Sequence, residues 1–410
     1  LAGGYPAFFL SGFKIQKMLR GQLSFGSSKS YARNALVITQ FTASTVLIIS
    51  SLFIYRQLNY MQNKKLGYNK EQVVTVQNIY ALGDNIATFR QEMLRQPAVE
   101  AVTVSSSIPT PSTRNTWSFL KTPELRGDNG LNLQRWATDP DFLNTLNIEL
   151  VAGRFFDENL TTDSTAIVIN ESAARAIGLA DPIGTKIYTS ETREVESERD
   201  FTGHTIIGVV KDFHWSSLRN KIEGLVMVLE PSNNLISFRY QGDKSAEVLA
   251  ALESNWTKLA PDAPFSYEFM DDAYSQVYQA EQRISIIALL FTALAIFISC
   301  LGLLGLVAYM AEQRTREIGI RKVLGASVTN IIQLLSSDFI KLVVVALLIA
   351  VPISYYFMNN WLADFAYRID LSGWTFAAAG VLTLFVALLT VGAQALQAAL
   401  INPVDAIQND

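Results

Sequence analysis

The chain has 410 residues, of which 50% are hydrophobic and 17% charged. A mean hydropathy of +0.21 is too high for an ordinary soluble protein and too low for a chain built of membrane spans alone, so a few spans and a sizeable soluble domain are expected. A net charge of −4 leaves no electrostatic footprint for nucleic acid, and the single cysteine, Cys300, excludes an intrachain disulfide or a cysteine metal cluster.

Residues 1–34 form a cytoplasmic basic lead-in carrying Lys14, Lys17, Arg20, Lys29 and Arg33, with Gly21, Gly26, Ser27 and Ser28 marking a loop. No charge occurs between Arg33 and Arg56, which predicts a first transmembrane helix over 35–55, long enough for a hydrocarbon core of roughly 30 Å. Its polar residues, Thr39, Gln40, Thr42, Ser44 and Thr45, are expected to face other helices rather than lipid.

Residues 56–283 are predicted to be the soluble α+β domain. QVVTVQN alternates as a strand, NIATFRQEMLRQ reads as a helix with Asp84 as its cap, and VEAVTVSS is a second strand. The same order returns as strand LISFRYQ, helix Ser245 to Leu259 and strand FSYEFM. These two strand–helix–strand units flank an insert subdomain of about 108–232. Within it, STAIVINESAARAIGL reads strand then helix, and HTIIGVVKDFHW is a strand ending at Lys211 and Asp212. SSSIPTPSTRNTWS and TSETREVESERD are expected to be loops.

A second span is predicted over 284–310, about 27 residues or roughly 40 Å, with Ala293, Ala295, Gly302 and Gly305 as small packing surfaces. A third follows at 339–358, with Pro352 inside it as a kink site, and a fourth at 374–400, before the cytoplasmic tail 401–410. Trp361, Tyr367 and Trp374 flank the short outer loop 359–373, as interfacial aromatics do. Basic residues are concentrated in the lead-in and in the loop 311–338, which places both termini inside and 56–283 outside.

The loop 311–338 contains the densest charge pattern, EQRTREIGIRKVLGA from Glu312 to Ala326. On a helix Arg314, Glu317 and Arg321 share one face, and Glu317 to Arg321 is the favourable i,i+4 order for an ion pair. Ile320, Val323 and Leu324 share a second, apolar face, with Gly319 and Gly325 as punctuation. By spacing alone this is either a positive-inside anchor or a docking helix with one face for the bilayer edge and one for a charged soluble partner.

No catalytic constellation is present. The chain lacks G-x-x-x-x-G-K-[ST], the loop that cradles ATP phosphates. His204 and His214 are its two histidines and do not by themselves build the usual zinc site. Asp271 and Asp272 are adjacent, so on a regular element they point apart and are expected to begin a helix instead. Trp117, Trp136 and Trp215 are expected in the core or its rim.

RTREIGIRKVLGAS resembles the cytoplasmic loop between the second and third transmembrane helices of the MacB/FtsX-like ABC transporter permeases. GRFF at Gly153, INESAARAIGLADPIGTKI and IIGVVKDFHWSSLR resemble the outer-domain motifs of the same family, so the likeness spans nearly the whole chain. It implies a membrane protein of four transmembrane α-helices plus an extracytoplasmic α+β domain of two subdomains, porter-like and sabre-like. RQLNYMQNKKLGY and DDAYSQVYQAEQR would form their helical stalk. It implies a bacterial cytoplasmic (inner) membrane location, no cofactor, and no catalysis in this chain. The partners it implies are a separate ABC ATPase subunit, membrane lipid and a second permease half, fused or dimeric. Arg314, Thr315, Arg316, Glu317, Ile318, Gly319, Ile320, Arg321, Lys322, Leu324, Gly325 and Ala326 would couple to the ATPase. Residues 13–19 can be laid against 401–407, which fits the C-terminal half of a duplicated eight-span permease. Export, lipoprotein release and hydrolase regulation all occur in the family. A membrane-tethered sensor or regulator of cell-wall hydrolases without transport is the alternative.

Overall fold

The computed structural model describes residues 28–110, 116–124, 129–178, 181–190, 201–313, 320–321 and 324–400. They fall into two compact units. One holds the chain up to Gln57, Ile284–Leu362 and the chain from Asp370; the other holds Leu58–Arg283 and Ala363–Ile369.

The first unit is built on long helices: α1 (Ser28–Asn63), α7 (Gln279–Gln313), α8 (Val328–Ala363) and α9 (Gly373–Leu400). Each contains a stretch long and apolar enough to cross a bilayer, namely Arg33–Asn63, Gln279–Gln313, Ser336–Ala363 and Gly373–Gln397. The helices outrun the apolar stretches expected from sequence, because helix propensity does not end where hydropathy does. Thus α8 begins at Val328, where the Ser327 hydroxyl accepts from the Asn330 amide at 3.3 Å, and it runs on through Pro352 to Ala363. Their common core joins Val37 and Phe41 of α1, Leu303 and Val307 of α7, and Phe339 and Val343 of α8. Ala387 and Val391 of α9 complete it. By contrast Leu289, Leu290, Phe291, Leu294 and Phe297 of α7 lie on the surface, a lipid-compatible face rather than a water-compatible one.

The second unit carries one 11-stranded sheet in the order β11-β1-β10-β2-β4-β3-β7-β8-β6-β9, with β5 paired to β8 and β4 also paired to β9. One lobe contains β1 (Val73–Gln77), β2 (Val99–Ser105), β10 (Leu235–Tyr240) and β11 (Tyr267–Phe269). Its apolar face is covered by α2 (Ile86–Leu94) and α5 (Ser245–Leu259), burying Val74, Phe89, Phe238, Leu252 and Trp256. Apolar residues recur along α5 at Val248, Leu252 and Trp256, the i, i+4, i+8 stripe of an amphipathic helix.

The other lobe contains β3 (Thr116–Leu120), β4 (Gly130–Thr138), β5 (Leu150–Gly153), β6 (Ala166–Asn170), β7 (Lys186–Ser190), β8 (Phe201–Val210) and β9 (Leu225–Leu229). Phe119, Leu133, Ile167, Ile206 and Val226 form its core under α4 (Glu171–Ile177). The strand β6 lies between β8 and β9 and is buried throughout, hence its unbroken apolar run AIVI. The β2–β4 junction between the lobes is narrow, with Ser105 opposite Thr138 as its paired register. Near it α3 (Phe142–Leu146) supplies Phe142 to a cluster with Trp136, Phe213 and Trp215. The last helix of the unit, α6 (Met270–Val277), precedes α7.

Three local expectations are corrected. Asp84 does not cap α2: it lies in the 3-10 segment Ile79–Asn85, just after the break at Gly83 (φ +51°), and Asn85 at the cap position makes no side-chain capping bond. The cap position is Asn85, one residue past Asp84, so Asp84 lies outside the position from which a side chain reaches the first-turn amides. Thr116, Trp117 and Ser118 belong to β3 and Thr189 and Ser190 to β7, not to loops. Polar composition is compatible with a strand end that is open to water, as at Thr116–Ser118, where pairing with β4 satisfies the backbone.

Candidate functional site

The charged stretch after α7 lies largely outside the described residues, which omit Arg314, Thr315, Arg316, Glu317, Ile318, Gly319, Lys322 and Val323. Ile320 and Arg321 are helical and exposed, and Leu324 is 80% exposed. The turn closes on Gly325 at φ +91°, with the Leu324 amide on the Ile320 carbonyl (3.0 Å) and the Ala326 amide on the Arg321 carbonyl (2.9 Å). The last bond spans six residues across a left-handed glycine, the Schellman arrangement. Gly325 is therefore a helix stop, which leaves Leu324 and Ile320 as apolar side chains in the open beside a cationic Arg321.

Behind this stretch, α1 and α7 are joined by a polar seam. Gln40 Nε2 donates to the Ile298 carbonyl (2.8 Å), and Gly302 makes room for it: a Cβ there would lie 2.8 Å from Gln40 Oε1. The Ser44 and Ser299 hydroxyls meet at 2.7 Å, as do those of Ser51 and Thr292. Thr42 reaches the Ala346 carbonyl of α8 (3.4 Å), Thr45 reaches Thr383 of α9 (3.5 Å), and Arg56 donates to Thr375. The polar residues of the first span thus face helices, as their type implies, except Thr39, which is exposed. Gly305, expected to serve packing like Gly302, has open space where its Cβ would be.

In the second unit the short segment Ala363–Ile369 is held by the Leu218–Arg219 corner. The Ala366 and Tyr367 amides donate to the carbonyls of Arg219 (2.9 Å) and Leu218 (3.2 Å). The Arg219 guanidinium stacks 4.6 Å from Phe365 and donates from Nε to Glu281 (3.0 Å). Tyr367 is not simply an interfacial aromatic: its ring lies edge-on to His214 at 4.6 Å and under Lys64 at 4.5 Å. Burial, with the Lys64 ammonium nearby, pushes His214 down to about 4, so it is a neutral packing residue at pH 7.

The motifs of the outer domain are structural. Asn170 caps α4 by accepting from the Ala173 amide (2.9 Å), and Asp212 accepts from the Ser172 amide (2.9 Å) and hydroxyl (2.8 Å) and from Arg175. This explains the spacing of the NESAAR and KDF motifs: one carboxylate ties the start of α4 to the end of β8. Arg154 of GRFF makes a bidentate pair with Asp163, both bonds 2.6 Å, and Asp163 is fully buried. The guanidinium holds the Asp163 carboxyl below the usual carboxylate range. The contribution of such a group is present above its unfolded pKa and is lost as pH falls through the folded one, so stability from this pair declines below about pH 4. Asp163→Asn is expected to cost about 2 kcal/mol at pH 7, discounted because Arg154 is open to water, and to flatten the acid limb of the pH–stability curve. Urea titrations at pH 7 and pH 3 read both effects.

His204 bonds the Thr189 hydroxyl (2.8 Å) and packs against Phe119. Among the described residues no group of three His, Cys, Asp or Glu converges on a metal-sized space. Asp271 and Asp272 stand in the first turn of α6, where carboxylates complement the helix dipole. Trp136 and Trp215 are core residues, whereas Trp117 is half-exposed under the Arg135 guanidinium at 4.4 Å. Sequence reasoning did not find the Arg219–Phe365–Glu281 contact, since its three members are far apart in the chain.

Residues 8–254 match the family model of the MacB-like periplasmic core domain, and residues 289–403 match that of the FtsX-like permease C-terminal region. The chain is 23% identical over 330 residues to the macrolide export ATP-binding/permease protein MacB of Neisseria meningitidis serogroup A. It is 22% identical over the same length to that of Neisseria gonorrhoeae. Each alignment takes in 75% of this chain and 47% of the relative, so the chain spans about half the length of the curated relatives it matches. Among solved structures it is similar to the periplasmic region of MacB from Actinobacillus actinomycetemcomitans, at 14% identity and a TM-score of 0.36, over 51% of this chain and 94% of that one.

Proposed function

The chain belongs to the MacB/FtsX-like family of ABC transporter permeases, and on that premise we propose that it couples ATP hydrolysis by a separate ATPase subunit to movement of its extracytoplasmic domain. The work is export or extraction of a substrate across or out of the bacterial inner membrane, with a second permease half, fused or dimeric, completing the assembly. The observation that carries the reading is the pair α1 and α7. They are unbroken helices of 36 and 35 residues, tied side by side through the hydrocarbon by Gln40, Ser44, Ser51, Thr292 and Ser299. A helix is stiff along its axis, and a hydrogen-bonded pair resists sliding, so force applied at the end of α7 is transmitted rather than absorbed. The stretch Arg314 to Ala326 is the handle on that lever, with Ile320 and Leu324 as apolar contacts and Arg314, Arg316, Glu317, Arg321 and Lys322 as charged ones.

The test is purification from native membranes in mild detergent, with the ATPase subunit quantified in the eluate. Wild type is expected to bring the ATPase down in stoichiometric amount, and Glu317→Lys with Arg321→Glu to lose it while keeping the same yield and melting profile. A stable chain with no ATPase in either form would sink the coupling role. It would leave the stretch as a topogenic anchor and favour a tethered regulator.

A further inference from the structure

We propose that the outer edge of β11 is a docking site for an extended segment of a partner polypeptide, which adds one more antiparallel strand and carries Lys or Arg between two apolar residues. The strand order ends at β11, whereas the other end of the sheet turns back through the β9–β4 pairing. The Gln77 amide donates to the Ser266 carbonyl (3.3 Å), which fixes the phase of the β1–β11 ladder. Glu268 is then the residue that exchanges backbone bonds with Thr75, opposite it. The amide and carbonyl of Tyr267 and the amide of Phe269 therefore point away from β1, and among the described residues no hydrogen bond reaches them. Such open groups are a template for a further strand. The neighbouring pairs β11–β1, β1–β10 and β10–β2 are all antiparallel, the pairing that is more stable per residue.

The side chains along this edge select the occupant. A groove of about 550 Å³ beside it is lined by Gln77, Glu268, Asp272 and Gln276 together with Ser266, Tyr267 and Phe269, so it holds two carboxylates and no cation. Glu268 is fixed by neutral donors, Gln77 Nε2 on Oε2 (3.1 Å) and Gln276 Nε2 on Oε1 (3.3 Å), which leave its charge uncompensated. None of the ion pairs among the described residues includes Glu268 or Asp272. Tyr267 lies on the opposite face, 44% exposed, in an aromatic row with Phe265 at 5.5 Å and Phe269 at 5.8 Å. An added strand keeps the alternation of the sheet. Its residue opposite Glu268 faces the carboxylates, and the two flanking residues, opposite Tyr267 and Phe269, face the rings. A cation between apolar residues is complementary to both faces, whereas an acidic residue opposite Glu268 is repelled. The site does not depend on the ATPase reading and is tested without that partner.

The probe is the fluorescein-labelled, C-terminally amidated peptide Ser-Thr-Val-Lys-Val-Thr-Ser. Its anisotropy is measured against the full chain in nanodiscs of zwitterionic phosphatidylcholine, with empty nanodiscs as the control. Saturable binding is expected, weakened by salt and about tenfold tighter than that of the peptide with Gln for Lys. N-methylation of both valines, whose amides face β11 in this register, should abolish binding, and N-methylation of the lysine, whose amide faces outward, should leave it unchanged. Glu268→Gln with Asp272→Asn should cost about tenfold for the lysine peptide and leave the glutamine peptide unchanged. Tyr267→Pro removes an outward amide that the sheet does not use, so the melting profile should hold while binding is lost. The proposal is overturned by absence of saturable binding, by a signal matching that of empty nanodiscs, or by indifference to the double variant or to methylation of the valines. It is equally overturned if a second copy already covers the edge, read as a two-copy nanodisc that Tyr267→Pro converts to one copy.

Discussion

Gly153→Ala is expected to destabilise the extracytoplasmic domain by about 4 kcal/mol, a large share of the stability of an ordinary domain. Two effects add. Gly153 has φ +73°, where a Cβ is strained, and its Cβ would lie 2.2 Å from the Ile207 carbonyl oxygen and 3.0 Å from Gly208 Cα. The obstacle is backbone in the middle of β8 and cannot turn aside. The reciprocal substitution, Gly208→Ala, places a Cβ 2.2 Å from the Arg154 carbonyl oxygen without the φ penalty, so about 3 kcal/mol is expected. The glycines are two sides of one close crossing, paired in the β5–β8 register and locked by the Arg154 amide on the Ile207 carbonyl at 3.0 Å. Urea titration of the full chain, followed by the fluorescence of the buried Trp136 and Trp215, measures both. Midpoints within error of wild type would mean that β5 does not approach β8 this closely.

Arg239→Ala is expected to cost about 3 kcal/mol, although among the described residues Arg239 has no carboxylate partner. Its guanidinium is buried on β10 and donates to three backbone carbonyls, those of Thr145 (2.6 Å), Glu71 (3.2 Å) and Asn69 (3.0 Å). One side chain therefore ties the last turn of α3 to the segment before β1. Its removal orphans the buried Thr145 carbonyl and frees two part-buried ones, and leaves a hole where the guanidinium packed. Burial lowers its pKa, partly offset by the charge of Glu100, yet guanidinium stays protonated at any pH a protein survives. Arg239→Lys should recover only part of the loss, because a single ammonium cannot span three acceptors set out in a fork. The same titration reads both variants, and a lysine variant as stable as wild type would show that the charge and not the fork matters.

The order of elements was legible along the chain because it depends on local signals. Charge-free runs mark α1, α7, α8 and α9, and alternation marks β1 and β2. The stripe Val248, Leu252, Trp256 marks α5 to the residue, Ser245–Leu259. The polar character of Thr42, Ser44 and Thr45 correctly forecast helix-facing positions, since lipid offers them no partner. Composition misled at Thr116–Ser118 and Thr189–Ser190. There strand pairing satisfied the backbone of residues whose side chains read as loop.

What the amino-acid sequence alone determined is the set of elements, the four candidate spans, and the charge and apolar pattern at Glu312 to Ala326. Only the tertiary structure decided which residues meet. Gln40 lies 258 positions from the carbonyl it bonds, and Arg239 lies 170 from that of Asn69. Tyr367 meets His214 edge-on from the far side of four helices in sequence. Glu268 and Asp272, unremarkable as single carboxylates, share a groove with Gln77 only once β11 pairs with β1. The physical reason is range. Hydropathy, periodicity and capping act over a few residues and can be read in place, whereas a hydrogen bond, a ring contact or a shared cavity between distant segments exists only once packing has chosen their register.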